Sequence, residues 1–247
     1  MQDSHSKRMK TTKDLAQPGK EGYYNVSYLC SEIRKAVPED TIFAIEAVTS
    51  TCFVADQLLP RLPGTWLNCG GGGLGWSTGG ALGIKLAAGE KRFVCQIVGD
   101  GTFLFSVPGS AYWISQRYNL PILTIVLNNQ GNPSPSSNQT PQPHPLTSPG
   151  WHAPKRSLLL VHPDGIGSKA TNEDLNISFA PSPDYAGIAK AAAGGNLWAE
   201  HATTVDELHA LLPKAIESVK NGVGAVLDAH LEGPQGKYGG GKSALVG

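Results

Sequence analysis

Two short polar motifs carry the residue types that bind a hard divalent cation: GDG at residues 99–101 and NNQG at residues 128–131. A cation such as Mg2+ on a diphosphate prefers oxygen ligands in an octahedral arrangement. The Asp100 carboxylate, the Asn129 amide oxygen and the Gly131 main-chain carbonyl would supply three of these ligands. Phosphate oxygens and a water molecule would complete the shell. The two motifs therefore predict a site for Mg2+ and a diphosphate group.

The position of both motifs favours a binding site over a pair of turns. Glycine and asparagine are common in turns, so either motif alone would indicate only a turn. Each motif, however, directly follows an apolar run of strand length, RFVCQIV at 92–98 and ILTIVL at 122–127. Gly101 would let a phosphate approach the backbone closely, and a following helix could present N–H groups to it.

Apolar runs alternate with helical patterns from about residue 22 onwards. Strands are predicted at 41–48, 65–69, 92–98, 122–127 and 224–231, and helices at 27–37, 53–59, 76–88, 109–118, 184–193 and 204–220. Ser27 is the expected cap of the first helix. Parallel strands need crossover connections and bury both faces, so the alternation predicts a doubly wound α/β fold, with a mainly parallel sheet of about six strands and helices on both faces. Ligands bind such sheets at the carboxyl ends of strands. Four loops should meet there, at 49–51, 70–75, 99–101 and 128–131.

Composition divides the chain into one domain and three segments of different character. Residues 22–231 form the predicted domain, residues 1–21 are a polar leader or linker remnant, and residues 232–247 form a glycine-rich tail that we expect to be flexible. Residues 132–149 are rich in Pro and Ser and have no apolar periodicity, so they interrupt the domain as an extended loop. The alternative is a retained intron, whose removal would join Gly131 directly to Trp151.

The overall charge argues against two classes of partner. Twenty basic residues balance twenty acidic ones, so nothing indicates binding to nucleic acid or to an anionic membrane surface. No run is long and apolar enough to span a bilayer. The four cysteines lack zinc-type spacing and are interpreted as reduced core residues. We therefore expect a cytoplasmic protein, unless a mitochondrial targeting segment precedes the sequence.

The two motifs resemble the thiamine-diphosphate signature, in which GDG is followed about two dozen residues later by NN. The surrounding text, GDGTFLFSVPGSAYWISQRYNLPILTIVLNN, is similar to the superfamily of decarboxylases and acetolactate synthases, which includes pyruvate decarboxylase, and particularly to benzoylformate-decarboxylase-like members. The resemblance covers most of residues 22–231 apart from the Pro/Ser-rich segment. It implies the C-terminal, diphosphate-binding domain of such an enzyme, with thiamine diphosphate and Mg2+ as cofactors.

The resemblance also implies roles for residues of the other loops. Thr49 and Ser50 would contact the diphosphate, Gly72 would offer its carbonyl to the 4′-amino group, and Leu74 would lie beneath the rings. Without the resemblance, the two hydroxyl groups could equally form a turn or helix cap, and Leu74 could be a core residue. The expected cofactor-binding residues are Thr49, Ser50, Gly72, Gly73, Leu74, Gly99, Asp100, Gly101 and Asn129, and the expected metal ligands are Asp100, Asn129 and Gly131.

In relatives, the glutamate that activates the cofactor belongs to a separate pyrimidine-binding domain, usually on the neighbouring subunit of a homodimer or tetramer. No catalytic residue is therefore expected in this chain, and Glu46 does not match that role. The resemblance implies a 2-oxo acid decarboxylase or carboligase, and GDG together with Leu74 favours the decarboxylase. The alternative is a catalytically incomplete cofactor-binding fragment or a regulatory remnant.

Two other glycine patterns are weaker. Gly70, Gly72 and Gly75 satisfy GxGxxG between a predicted strand and helix, which is the context of a dinucleotide site. No acidic residue closes the next strand at the expected distance. Residues 236–243 match the phosphate-loop pattern GxxxxGKS, but only residues 244–247 follow, too few for the helix that such a loop requires.

Overall fold

The structure is a computed structural model and describes residues 2–19, 22–132, 150–179 and 181–232. The Pro/Ser-rich segment from residue 133 and the glycine-rich tail from residue 233, with its GxxxxGKS pattern, lie outside the described residues. The predictions for both segments are therefore untested. Within the described ranges, no helix has both the length and the apolar composition needed to cross a membrane.

Helices and strands alternate along the described chain, as the sequence predicts. The strands are β1 (Ile42–Glu46), β2 (Trp66–Asn68), β3 (Val94–Gly99), β4 (Leu123–Asn132), β5 (Trp198–Ala202) and β6 (Ala225–Glu232). The helices are α1 (Gln2–Leu15), α2 (Val26–Ala36), α3 (Thr51–Leu58), α4 (Trp76–Ala88), α5 (Asp100–Phe105), α6 (Pro108–Arg117), α7 (His152–Val161), α8 (Tyr185–Ala192) and α9 (Val205–Lys220).

The strands form one six-stranded sheet in the order β2-β1-β3-β4-β6-β5, and every neighbouring pair is parallel. This confirms the doubly wound α/β fold. From the adjacent strands β1 and β3, the chain continues to opposite sides of the sheet, towards β2 and β4. The loops after β1 and β3 therefore border a crevice at the carboxyl edge, where ligands bind in this class of fold.

Alternate residues of the central strands face two apolar layers. Ile45, Ile97 and Ile125 pack on the side that carries α2, α3 and α9. Ala44 and Val126 face the other side, where α4, α6 and α8 supply the core. Burial on both faces explains why these strands are continuous apolar runs in the sequence.

A buried polar network ties helix α4 to the centre of the sheet. The Gln96 amide nitrogen on β3 donates to the hydroxyl groups of Ser77 and Thr78, each at 2.8 Å. Its amide oxygen accepts from Thr124 Oγ1 at 2.9 Å, and the Tyr112 hydroxyl donates to Thr124 Oγ1 at 3.1 Å. Because each polar atom has a partner, the network fixes where α4 begins relative to β3 and β4.

Several local predictions need correction. The cap of α2 is Asn25 rather than Ser27, because the Asn25 Oδ1 accepts from the Tyr28 N–H at 2.9 Å. Helix α1 is not predicted from the sequence, yet its Thr12 carbonyl accepts from the buried Gln57 amide at 2.7 Å. Cys52 is exposed and is not a core residue, in contrast to the buried Cys30 and Cys95.

Helix α9 begins with a reciprocal cap, and its loss gives a measurable prediction. Thr204 Oγ1 accepts from the Glu207 N–H, while the Glu207 carboxylate accepts from the N–H groups of Thr203 and Thr204. We expect Thr204→Ala to lower the free energy of unfolding by about 1 kcal/mol. Chemical denaturation measures this, with the exposed Thr11→Ala on α1 as control. Equal stabilities of the two variants would contradict the role of the cap.

Candidate functional site

A cavity of about 340 Å³ opens at the carboxyl edge of the sheet. Its walls come from the turn after β1, from the start of α5, from the end of β4 and from the start of α7. The residues in these walls include Thr49, Ser50, Leu74, Gly99, Asp100, Gly101, Thr102, Asn129, Gly150 and Trp151. The crevice predicted from the strand order is thus a concave site with polar groups on its wall.

The Asp100 carboxylate is the buried acidic group of this cavity. It accepts the Gly101 N–H on Oδ1 at 2.7 Å and the Asn129 N–H on Oδ2 at 3.1 Å. Burial raises the pKa of Asp100 to about 6; the two N–H donors oppose this rise, and the negative charge of Asp228 adds to it. A cation bound at this carboxylate would favour its ionised form.

The second motif has a different backbone from the one predicted. Strand β4 does not end at Leu127; it continues to Asn132, with an irregular register against β6 between Asn128 and Asn132. Gly131 is therefore part of a strand and not of a loop. The extension follows from pairing with β6, because Asn132 pairs with Glu232. No local sequence pattern predicts this pairing.

The Asn129 side chain joins the second motif to the far side of the Pro/Ser-rich segment. Its Nδ2 donates to the Gly150 carbonyl at 3.2 Å, and its Oδ1 accepts from the Gly150 N–H at 3.4 Å. The neighbouring Asn128 amide donates to Asp228 Oδ1 at 3.0 Å. The two asparagines of the motif thus have separate partners, and Asn129 is the one that lines the cavity.

The residues of the glycine-rich loop before α4 contribute unequally to the wall of the cavity. Leu74 lines the cavity and is 45% exposed, whereas Gly72 and Gly73 are not among the described lining residues. Gly75 has a φ of 96° and packs against the backbone of Phe105. The loop therefore brings Leu74 to the cavity, and Gly75 packs the loop against the end of α5.

Glu46, at the end of β1, is a structural carboxylate. Its Oε1 accepts from the N–H groups of Gly75 and Trp76 at 3.0 and 3.3 Å, and its Oε2 accepts from the Ser77 N–H at 2.7 Å. A buried carboxylate is well placed there, because the first N–H groups of a helix have no partner within the helix. Glu46 anchors the start of α4 and does not line the cavity in the described residues.

The start of α7 is not predicted from the sequence. Trp151, Ala153, Pro154 and Ser157 line the cavity, although the sequence separates them from the second motif by the Pro/Ser-rich segment. The only signal was the continuity of NNQG with WHAPKRS once that segment is removed.

The structure also revises the reason for glycine at position 101. A Cβ there would lie 2.3 Å from Trp151 Nε1, so the indole ring already occupies that space.

The family follows from comparison with known proteins. The family model described as "Thiamine pyrophosphate enzyme, C-terminal TPP binding domain" matches residues 47–229, which is more than half of the chain. The chain belongs to this family. Membership confirms the resemblance found in the sequence, and the range includes both motifs of this TPP-binding domain.

Individual relatives match only parts of their own length. Benzoylformate decarboxylase of Pseudomonas aeruginosa is 32% identical over 92 residues, which are 37% of this chain and 17% of that enzyme. The acetolactate synthase isozyme 3 large subunit of Escherichia coli is 26% identical over 177 residues, 71% of this chain and 25% of that subunit. The TPP-binding domain is thus similar to parts of a decarboxylase and a synthase.

A solved structure supports the fold. The thiamine diphosphate-dependent 4-hydroxybenzoylformate decarboxylase of Rhodococcus jostii RHA1 matches with a TM-score of 0.66 and 17% sequence identity. The match covers 88% of this chain and 34% of that one. The TPP-binding domain therefore has the same fold as one region of a longer enzyme.

The donor set at the cavity fits a hard cation. A carboxylate with amide and carbonyl oxygens is the combination that Mg2+ accepts, usually together with substrate phosphates and water. In the part of the chain that the structure describes, no three His, Cys, Asp or Glu side chains form a group that could hold a metal. A cation in the TPP-binding domain would thus depend on Asp100, on neutral oxygens and on the ligand itself.

Proposed function

We propose that this chain binds thiamine diphosphate together with Mg2+ in the cavity at the carboxyl edge of the sheet. The observation that carries the proposal is the buried Asp100 carboxylate in the cavity wall, held by the backbone N–H of Asn129 from the other motif. A cation at Asp100 would offset the cost of a buried charge, and a diphosphate would supply further oxygen ligands. Asn129 and the Gly131 carbonyl are the other proposed metal ligands.

The remaining cavity residues would hold the rest of the cofactor. Thr49 and Ser50 offer hydroxyl groups to the diphosphate, and Leu74 offers an apolar surface to the rings. We place Gly99 and Gly101 beside the diphosphate, and we expect the backbone of Gly72 and Gly73 to reach the pyrimidine. When bound, thiamine diphosphate would supply a carbon nucleophile for the reaction with a 2-oxo acid.

The whole enzyme would be a 2-oxo acid decarboxylase or carboligase. Its relatives include a decarboxylase and a synthase, which supports that class. Among the described lining residues, Asp100 is the only carboxylate, and Glu46 is committed to helix α4. We therefore infer that turnover needs the pyrimidine-binding domain of a partner subunit, in a homodimer or tetramer. By itself, this chain would bind the cofactor without turning over substrate.

The free cysteines agree with a reducing compartment, so we propose a cytoplasmic protein.

The proposal predicts that Asp100→Ala strongly weakens magnesium-dependent cofactor binding. Removing the only acidic ligand should weaken the affinity for thiamine diphosphate by about 100-fold, because charge-assisted contacts to the cation are lost. Isothermal titration calorimetry with thiamine diphosphate and Mg2+ measures this, with circular dichroism to verify folding. The exposed Asp164→Ala is the control and should bind like the wild type. Equal heats for Asp100→Ala and the wild type would overturn the proposed metal site.

A further inference from the structure

The side-chain amide of Asn129 is held by both backbone polar groups of a single residue, Gly150. The Asn129 Nδ2 donates to the Gly150 carbonyl at 3.2 Å, and the Asn129 Oδ1 accepts from the Gly150 N–H at 3.4 Å. Asn129 is half-buried, Gly150 is buried, and both line the cavity. The amide and the Gly150 backbone thus form a closed pair in which each donor meets an acceptor.

This pairing is compatible with only one orientation of the amide. An asparagine side chain has an oxygen that accepts and a nitrogen that donates. Half a turn of the amide would place its Nδ2 against the Gly150 N–H and its Oδ1 against the Gly150 carbonyl, so both hydrogen bonds would be lost. Because an amide oxygen has two lone pairs, Oδ1 keeps one of them for a further partner. Gly150 therefore determines which amide atom can also bind a cation.

Gly150 is itself fixed by the segment that follows α7. Its φ of 143° lies in a region that residues with a Cβ rarely adopt. A Cβ at this position would lie 2.2 Å from the Ile177 carbonyl oxygen and 3.3 Å from Asn172 Nδ2. The next residue, Trp151, donates its N–H to the same Ile177 carbonyl at 2.8 Å. The Gly150 backbone is thus packed against Ile177 with no space for a side chain.

The partners of Gly150 are held in turn by a buried lysine of α7. Lys155 Nζ donates to the Ala170 carbonyl at 2.9 Å and to Asn172 Oδ1 at 3.3 Å, and the Ile177 N–H donates to the Asn172 carbonyl at 2.9 Å. None of these four residues is among the described lining residues of the cavity. The position of Gly150 therefore depends on a hydrogen-bonded frame that needs no ligand.

Protein ligands of a metal ion are commonly oriented by hydrogen bonds from residues that do not touch the metal. The Asp100 carboxylate is oriented in this way by the N–H groups of Gly101 and Asn129. We propose that Gly150 is a positioning residue of the metal site, whose N–H and carbonyl orient the Asn129 amide so that Oδ1, and not Nδ2, faces the cation. This inference rests on the proposed function and adds to it a residue without a contact to the metal.

The first test follows the Gly150 N–H in the wild-type chain. If Gly150 positions the amide, the pair persists when the cation binds, so exchange of the Gly150 amide hydrogen with solvent should stay as slow or become slower. NMR of 15N-labelled protein measures this exchange before and after addition of thiamine diphosphate and Mg2+, and Gly150→Ala identifies the resonance. Faster exchange in the bound protein would show that the cation competes with Gly150 for Asn129, and the inference would be wrong.

The second test measures the Mg2+ requirement of Gly150→Ala. The strained φ and the overlap with the Ile177 carbonyl should displace the backbone from Asn129. The Mg2+ concentration for half-maximal binding of thiamine diphosphate should then rise about 10-fold. Calorimetry at several Mg2+ concentrations measures this, with circular dichroism to verify folding. At saturating Mg2+ the affinity for thiamine diphosphate should return to that of the wild type; a loss that persists there would indicate a distorted cavity and contradict a role at the metal.

Gly222→Ala is the matched control. Gly222 has a φ of 85° and lies between α9 and β6, at the amino edge of the sheet. Among the described residues, no atom beyond its chain neighbours lies within 4 Å of a Cβ built there. The substitution thus introduces a similar backbone strain away from the cavity, and its Mg2+ requirement should equal that of the wild type. An equal rise in both variants would contradict a specific role of Gly150.

The outcomes separate this inference from the proposed function. An unchanged Mg2+ requirement of folded Gly150→Ala protein would overturn the role of Gly150 and leave the proposed function standing. If Gly150→Ala does not fold, the hydrogen exchange of the wild-type chain decides. A wild-type chain that gives no heat with thiamine diphosphate and Mg2+ would overturn the proposed function, and the inference with it.

Discussion

Replacing Gly75 with alanine is expected to destabilise the domain by about 3 kcal/mol or more. Gly75 precedes α4 with a φ of 96°, in the region that strains any residue with a Cβ. The added Cβ would lie 2.4 Å from the carbonyl oxygen of Phe105 and 2.7 Å from its carbonyl carbon. Because both are backbone atoms, no side-chain rotation relieves the overlap, and α4 and α5 would have to separate. Urea unfolding followed by circular dichroism measures the loss.

Gly79, one turn into the same helix, is the matched control. Among the described residues, no atom outside the backbone of α4 lies within 4 Å of a Cβ built at this position. Gly79→Ala should therefore stabilise the domain by about 0.5–1 kcal/mol, because alanine is the better helix former. The two substitutions add the same methyl group and are expected to act in opposite directions. Similar stabilities of both variants would show that the contact with Phe105 is not restrictive.

The expected effect of Gly75→Ala extends to the cavity. Leu74, which lines the cavity, is bonded to Gly75, and α5 begins with Asp100. Separation of α4 from α5 would move both walls. Weakened cofactor binding in this variant would therefore accompany the loss of stability and would not indicate a contact between Gly75 and the ligand.

The central strands could be predicted from the sequence, and an edge strand could not. β1 and β3 are buried along nearly their whole length, so their residues form apolar runs. β5 (WAEHA) lies at the edge of the sheet, and its polar residues Glu200 and His201 are exposed. Only pairing with β6 defines it as a strand. Helix α5 is not predicted for a related reason. It begins with Asp100 and Gly101, and this pair is typical of turns.

Four of the predicted site residues lie together in the structure. Thr49 and Ser50 follow β1, Leu74 follows β2 and Asp100 follows β3, and all of them line one cavity, as expected for the carboxyl edge of a parallel sheet. The contacts made by Trp151 could not be predicted in this way. Its position depends on contacts with Ile177 and Phe179. Packing between such distant segments produces no periodic pattern in the sequence.

The buried Glu46 carboxylate should contribute as much to stability as any side chain near the cavity. Glu46→Ala would leave the N–H groups of Gly75, Trp76 and Ser77 without the acceptor that they now share. Each loss of a charge-assisted hydrogen bond costs about 1.5–3 kcal/mol, and the interaction with the helix dipole is lost as well. Since the three bonds share one carboxylate, we expect a total of about 3–5 kcal/mol. Chemical denaturation measures it.

Two further variants decide whether Glu46 acts as an anchor or as a catalytic group. Glu39→Ala, at an exposed position before β1, should stay within about 0.5 kcal/mol of the wild type. Glu46→Gln keeps one oxygen acceptor but turns an NH2 group towards a backbone donor, so its stability should lie between those of the wild type and Glu46→Ala. A structural anchor requires this graded loss of stability. If Glu46→Gln were as stable as the wild type, while the complete enzyme containing it lost turnover, the carboxylate would serve the reaction and not the start of α4.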